Sequence, residues 1–197
     1  ANAASVSWVS RATTTPPASA RHETPLTNAF APVAVTSRSG FDESVHFGTV
    51  AVLDARGDLA YAIGDPDVPI YPRSSNKPIQ ADAMLRLGVA LTPQQLALAC
   101  ASHDGTAAHL DVVRSTLATV GLLDDALRNT EDLPLDAPTA EAFLAAGGRR
   151  SAIAMNCSGK HAAMLATCAH CHWSGDDYLD VDHPLQHAIG ARIAELA

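Results

Sequence analysis

The sequence has very little lysine. Of its 13 lysine and arginine residues, only Lys77 and Lys160 are lysines. Arginine keeps its proton in proteins, whereas burial or a neighbouring cation can turn lysine into a base or a neutral ligand. Each lysine lies within a compact polar motif, so we interpret both as candidate functional residues. Chance placement of two residues is the alternative.

Long apolar segments are absent as well. No uninterrupted apolar run approaches the length that spans a membrane. The first residues show no basic region followed by an apolar core, so we expect no signal peptide. The formal net charge of −8 argues against nucleic acids and anionic membranes as partners. Apolar residues at 47% and charged residues at 17% are typical of a soluble globular protein, which we expect in the cytoplasm.

Cysteine is scarce and shows no disulfide pattern. In a non-secreted chain, the four cysteines indicate free thiols or metal ligands. Cys168 and Cys171 could bind zinc together with His170 and His172, but a strong zinc signature needs a second ligand pair elsewhere. On a helix the two cysteines share a face that the histidines do not join, which disfavours this alternative site. The four cysteines are Cys100, Cys157, Cys168 and Cys171.

The chain begins with a segment of a different composition. Residues 1–28 are rich in Ala, Ser, Thr and Pro without a sustained period, and we interpret them as a disordered leader. Residues 29–197 are long enough for one domain. Residues 33–36 are predicted to form a strand, and residues 44–53 and 59–64 a β-hairpin.

Most of the remaining chain is predicted to be helical. Thr92 and Gln95 form a capping-box pattern, and the apolar helix after them is expected to be buried on all sides. Gly88 and Gly121 are expected to end the helices before them. Residues 152–155 read as a short strand leading into a loop and a helix. The predicted helices cover residues from about 76 or 78 to 87, 93–101, 107–120, 139–146, 162–169 and 184–197.

Ser74 and Lys77 form the motif that concentrates the chemistry. They are three residues apart at the start of a predicted helix, so their side chains face the same way. A lysine of lowered pKa can remove the proton of a serine hydroxyl and make it a nucleophile. The alternative is a serine that caps the helix, with a solvated lysine in its first turn.

Cys157 and Lys160 repeat the three-residue spacing in a second polar motif, residues 156–161. That spacing suits two ligands on one metal, or a thiol beside an amine. A buried cysteine near a helix start is the alternative.

Five blocks of the sequence together resemble the thermolabile, bacterial (Rhizobium-type) L-asparaginase II family, whose fold is similar to that of serine β-lactamases and penicillin-binding peptidases. Tyr71 to Gln80 and Asn156 to Leu165 are the longest blocks, and the match extends from about residue 33 to the end. The other blocks are residues 38–46, 101–105 and 178–186.

The resemblance implies an α/β fold with an antiparallel sheet flanked by helices. It also implies hydrolysis of the L-asparagine side-chain amide to L-aspartate and ammonia. Carried onto matching positions, Ser74 is the nucleophile, Lys77 is its partner, and Ser102 is the serine of a second Ser-Lys pair. These residues should meet where the helix after Ser74 approaches the loops of Ser102 and Cys157.

The resemblance also assigns ligands. Cys157 and Lys160 match positions that help to bind zinc. Arg73 is a candidate for the substrate's α-carboxylate, because guanidinium binds carboxylates bidentately. His161 would help to form the substrate site. A surface arginine and a structural histidine are the alternatives for the last two, and a homodimer is left open.

The chain departs from the family pattern in several places. Family members are longer, and the part that would carry the second lysine and a further zinc ligand has no counterpart here, so we interpret the chain as incomplete at its C-terminus. Met155 stands where asparagine is common. Two alternatives follow: a non-catalytic fragment of the family, and a penicillin-recognising peptidase or esterase.

Overall fold

The structure is a computed structural model that describes residues 5–8 and 29–196. The chain divides into two compact units, Ala1–Tyr71 and Pro72–Ala197. Of the segment predicted to be a leader, residues 5–8 form a strand, while residues 1–4 and 9–28 lie outside the described residues.

The first unit contains a three-stranded antiparallel sheet in the order β1-β2-β3, with β1 at Ser5–Trp8, β2 at Ala31–Arg38 and β3 at Phe41–Gly48. Ser39 and Gly40 form the turn between β2 and β3, with φ of 52° and 80°. Positive φ at both central residues is the geometry of the two-residue hairpins that match strand twist. The strand predicted at residues 33–36 is therefore confirmed as part of β2.

The predicted hairpin forms a second sheet, in which β4 at Val50–Leu53 pairs antiparallel with β5 at Leu59–Ile63. The Asp54 carboxylate stabilises the turn by accepting the backbone N–H of Arg56 at 2.8 Å. The prediction of one strand over residues 44–53 is wrong. The strand breaks after Gly48, because glycine weakens a strand, and the two parts pair with different neighbours.

The second unit is helical. Its helices are α1 at Lys77–Arg86, α2 at Pro93–Cys100, α3 at Ala107–Ala118, α4 at Ala137–Ala145, α5 at Ser158–His170 and α6 at Pro184–Leu196. The central element is α5, of whose 13 residues ten are buried, and it packs against α1, α2, α3 and α6. Met84, Leu117 and Leu165 are among the fully buried side chains of this core.

The helix-start signals are confirmed. Thr92 Oγ1 accepts the backbone N–H of Gln95 at 3.3 Å, and the Gln95 side chain accepts the N–H of Thr92 at 2.9 Å. Pro78 lies in the first turn of α1. The expectation that α2 is buried on all sides is wrong, because only Gln95 and Ala99 of this helix are buried. Leu96, Leu98 and Cys100 are only partly buried against the core, and Ala97 is exposed.

The strand predicted at residues 152–155 is also wrong. These residues form turns, and the only β-type contact nearby is the isolated bridge of Ser151 with Asp132 within the described part of the chain. Ile153 and Ala154 are apolar because they are buried, not because they are extended. The helix α5 begins at Ser158, four residues before the predicted start.

The described residues contain antiparallel strands and helices, as expected of an α/β protein. None of the described helices is both long and apolar enough to cross a lipid bilayer.

Candidate active site

Lys77 is the first residue of α1, and its side chain is buried, with 3% of the residue exposed. Its Nζ donates to the backbone oxygen of Ala101 at 3.0 Å and lies 2.8 Å from the Oγ of Ser102. Burial lowers the pKa of Lys77; a charge on Cys157 opposes this shift and the Lys160 ammonium adds to it. Because the amine is desolvated and close to a hydroxyl, it meets both physical conditions for a base.

Ser102 follows α2 and is exposed to solvent. Its hydroxyl is therefore reachable by a small molecule, while the lysine that contacts it is buried. The structure thus brings together Lys77 and Ser102, residues 25 positions apart in the sequence.

Ser74 and Arg73 lie in a turn of 3₁₀ helix, Arg73–Asn76, that leads into α1. Both are exposed, and Arg73 has a φ of 51°, an uncommon conformation for a residue other than glycine. The backbone oxygen of Ser74 accepts the N–H of Lys77. No hydrogen bond joins the Ser74 hydroxyl to the Lys77 amine in the described residues. The predicted Ser74–Lys77 pair shares one turn but is not in direct contact.

The second polar motif lies at the start of α5. Cys157 precedes the helix and is buried, and both its backbone N–H and its thiol donate to the sulfur of Met155, at 3.3 and 3.1 Å. Lys160 is half-buried and acts electrostatically on Lys77 and on His161. The two motifs predicted separately therefore belong to one site.

His161 is buried, and its Nδ1 lies 2.9 Å from the hydroxyl of Tyr178. That hydroxyl also accepts the backbone N–H of Arg128 at 3.2 Å. Burial, with smaller contributions from the Lys160 and Lys77 charges, lowers the pKa of His161 to about 3. Burial raises the pKa of Tyr178 to about 12. Both side chains are therefore neutral near pH 7.

Gly159 lets the start of α5 approach α2. A Cβ added to this glycine would lie 2.9 Å from the backbone oxygen of Leu98 on α2. Without a side chain, the start of α5 can pack closely against α2, which leads directly into Ser102.

The site is locally positive although the chain is acidic. Among residues 29–196, neither Lys77 nor Lys160 forms an ion pair with a carboxylate. The Lys160 ammonium, without a carboxylate partner in this range, favours an anionic substrate or product.

A zinc site is only partly supplied. Structural zinc takes four N, S or O ligands, and Cys157 and Lys160 would provide two. Within the described ranges, no three histidine, cysteine, aspartate or glutamate side chains are grouped to hold a metal ion. The residues present do not make a complete zinc centre, and zinc at Cys157 and Lys160 stays a prediction.

The alternative zinc ligands at residues 168–172 are not grouped around a metal position within the described residues. Burial, together with smaller effects of Cys171 and Asp177, raises the pKa of the Cys168 thiol to about 11. This opposes the thiolate that binds metal.

A surface cavity lies elsewhere in the helical unit. It has a volume of about 500 Å³, between α3 and residues 122–125. Arg114 and Asp124 form an ion pair at 2.9 Å beside it, and its lining is mostly apolar. It offers no nucleophile with a neighbouring base, so we do not place the active site there.

Sequence reasoning missed three residues that support the site: His103, Ser158 and Tyr178. All are buried and hydrogen-bonded to groups at or beside the site. His103 lies in the block of residues 101–105, and Ser158 lies in the second polar motif. In both places polar residues directly follow an apolar segment, and this change was the available signal. Their contact spans 55 positions, which no local pattern reveals.

Comparison with known proteins agrees with the resemblance. A search of curated proteins found no match. The family model described as L-asparaginase II matches residues 34–197, which include every residue of the candidate site. With this match over most of its length, the chain belongs to the L-asparaginase II family.

Proposed function

We propose that the chain hydrolyses the side-chain amide of L-asparagine to L-aspartate and ammonia, with a serine hydroxyl activated by Lys77. Membership of the L-asparaginase II family supports an amidohydrolase. The observation that carries the proposal is the 2.8 Å contact of the buried Lys77 amine with Ser102.

Lys77 is suited to the role of base. A neutral amine has two N–H groups and one lone pair. One N–H donates to Ala101 O at 3.0 Å, which leaves the lone pair for a hydroxyl proton. Because burial lowers the pKa of Lys77, the neutral form is more accessible than in an exposed lysine.

Ser74 is the proposed nucleophile. Its Oγ attacks the amide carbon while its proton passes to Lys77 Nζ. The C–N bond then breaks, and ammonia leaves with a proton delivered from Lys77 through the Ser102 hydroxyl. Water hydrolyses the acyl-serine and regenerates Ser74. The Ser74 hydroxyl must turn toward Lys77 for the first step, and catalytic hydrogen bonds are often made only when substrate is bound.

Substrate charge fits the surroundings. The exposed Arg73 is the proposed partner of the α-carboxylate, and His161 lines the site as a neutral side chain beside Lys160. The Lys160 ammonium, together with Lys77 once it has taken the serine proton, would also stabilise the oxyanion that forms on the amide oxygen.

Trapping the acyl-enzyme tests these roles. Rapid quenching with asparagine, followed by peptide mass spectrometry, should place an aspartyl adduct on Ser74. Ser74→Ala should abolish both the adduct and ammonia release, and Ser102→Ala should slow both. An adduct on Ser102 would exchange the two roles, and undiminished turnover by Ser74→Ala would refute Ser74 as nucleophile.

Labelling by a β-lactam tests the alternative function. Labelling of Ser74 without ammonia release from asparagine would favour a penicillin-recognising enzyme instead. Zinc binding, a cytoplasmic location and a homodimer stay predictions from the sequence.

A further inference from the structure

His103 connects the loop of Ser102 with the second polar motif. It directly follows Ser102, and only 3% of it is exposed. Its backbone N–H donates to the backbone oxygen of Asn156 at 2.9 Å. Its side chain reaches the hydroxyl of Ser158, with 2.9 Å between Nε2 and Oγ. One residue therefore joins the loop after α2 to the loop and helix start that carry Cys157 and Lys160.

The hydrogen bonds around His103 fix its tautomer. The backbone N–H of Gly105 donates to Nδ1 at 3.2 Å, so Nδ1 carries no proton. The neutral ring then has its proton on Nε2 and donates to Ser158 Oγ. Ser158 in turn donates to the backbone oxygen of Ile153 at 2.8 Å. Each N–H or O–H in this series of hydrogen bonds has one acceptor, so the direction of every bond is determined.

We infer that His103 is a positioning residue that holds Ser102 within hydrogen-bonding distance of Lys77 and fixes its spacing from the start of α5. Ser102 is joined to His103 by a peptide bond, so a shift of the restrained His103 also moves Ser102. Displacements of about 1 Å in a catalytic group can cost on the order of 100-fold in rate. The kinetic part of this inference rests on the proposed function.

Two substitutions of His103 each keep one of the two hydrogen bonds made by its imidazole ring. The Gln side chain places an amide N–H near the position of Nε2, so His103→Gln keeps the donor to Ser158. Asn places an oxygen near the position of Nδ1, so His103→Asn keeps the acceptor for Gly105 and loses the bond to Ser158. Ser158→Ala removes the same bond from the other side.

His183 provides the matched control. It is also buried, its Nδ1 accepts the N–H of Leu185 at 3.1 Å, and its Nε2 donates to the backbone oxygen of Ser174 at 3.1 Å. None of these partners belongs to the candidate site. His183→Gln therefore makes a comparable change in the same helical unit.

The experiment combines crystal structures of the variants with steady-state kinetics on asparagine. We expect the distance from Lys77 Nζ to Ser102 Oγ to stay near 2.8 Å in His103→Gln and to exceed hydrogen-bonding distance in His103→Asn and Ser158→Ala. We expect kcat to fall by about 10-fold or more in the latter two, with KM little changed, and by less than roughly 3-fold in His103→Gln and His183→Gln.

Two results would overturn the inference: an unchanged Lys77–Ser102 distance in His103→Asn, or equal losses of kcat in His103→Asn and His183→Gln. The structural readout does not depend on activity. If the wild-type chain released no ammonia, the proposed function would fail, and the distances alone would decide whether His103 positions Ser102.

Discussion

Gly159→Ala should destabilise the protein, although the same change inside a helix usually stabilises it. Gly159 lies in the first turn of α5, where α5 packs against α2. An added Cβ would lie 2.9 Å from the backbone oxygen of Leu98 and 3.0 Å from its Cβ. A backbone oxygen cannot rotate away as a long side chain can, so the two helices must separate slightly.

The size of the effect follows from two opposing contributions. Replacing glycine by alanine in a helix contributes up to about 1 kcal/mol of stability. Forcing an extra carbon into a packed contact costs about 1–3 kcal/mol. We therefore expect Gly159→Ala to lower the free energy of unfolding by roughly 1–2 kcal/mol.

Gly190 is the matched control. It lies in α6, is exposed, and a Cβ added there meets no atom within 4 Å. Gly190→Ala should raise the free energy of unfolding by about 0.5–1 kcal/mol. Urea denaturation of both variants at pH 7 measures the difference. If Gly159→Ala were as stable as Gly190→Ala, the close packing of α2 and α5 would be refuted.

Three further predictions concern single side chains. Burial lowers the pKa of His103 from 6.5 to about 4, so between these pH values the unfolded chain binds a proton that the folded chain does not. The free energy of unfolding of the wild type, measured relative to that of His103→Gln, should therefore be highest above pH 6.5 and fall by up to about 3 kcal/mol toward pH 4. Urea titrations that show the same difference at every pH would contradict this. Lys77→Arg keeps the charge but has no accessible neutral form, so kcat should fall by about 100-fold or more, and a mild effect would reduce Lys77 to a structural residue. Thr92→Ala removes the oxygen that accepts the Gln95 N–H, so thermal unfolding should show a free energy of unfolding that is lower by about 1 kcal/mol. An unchanged free energy of unfolding would mean that this helix cap does not stabilise the protein.

The local elements of the fold could be predicted because their signals are local. The capping box of Thr92 and Gln95 needs only residues three apart, and Gly88 ends α1 with a φ of 95° that favours glycine. The turn between β4 and β5 is likewise set by adjacent polar residues. Burial was harder to predict. The sequence of α2 is apolar all round, so it does not show which of its residues face the core and which face solvent.

The polar motifs of the candidate site could be named from the sequence, but not the contacts between them or the buried residues that support them. The spacing of Ser74 and Lys77 predicts side chains that face the same way, but Ser74 is exposed and Lys77 is buried. The direction of the lysine is set by tertiary packing, which buries it beside Ala101 and Ser102 instead. The contact of His103 with Ser158 depends on how α2 and α5 pack, which no short pattern encodes.

Ammonia release from L-asparagine by the purified 197-residue chain is the most direct test of the central claim that Lys77 activates a serine for amide hydrolysis. Coupled-enzyme detection of ammonia should show turnover by the wild type and none above background by Ser74→Ala or Lys77→Met, with all three proteins folded by circular dichroism. Turnover that survives in Lys77→Met, or its absence from the folded wild type, would contradict the account.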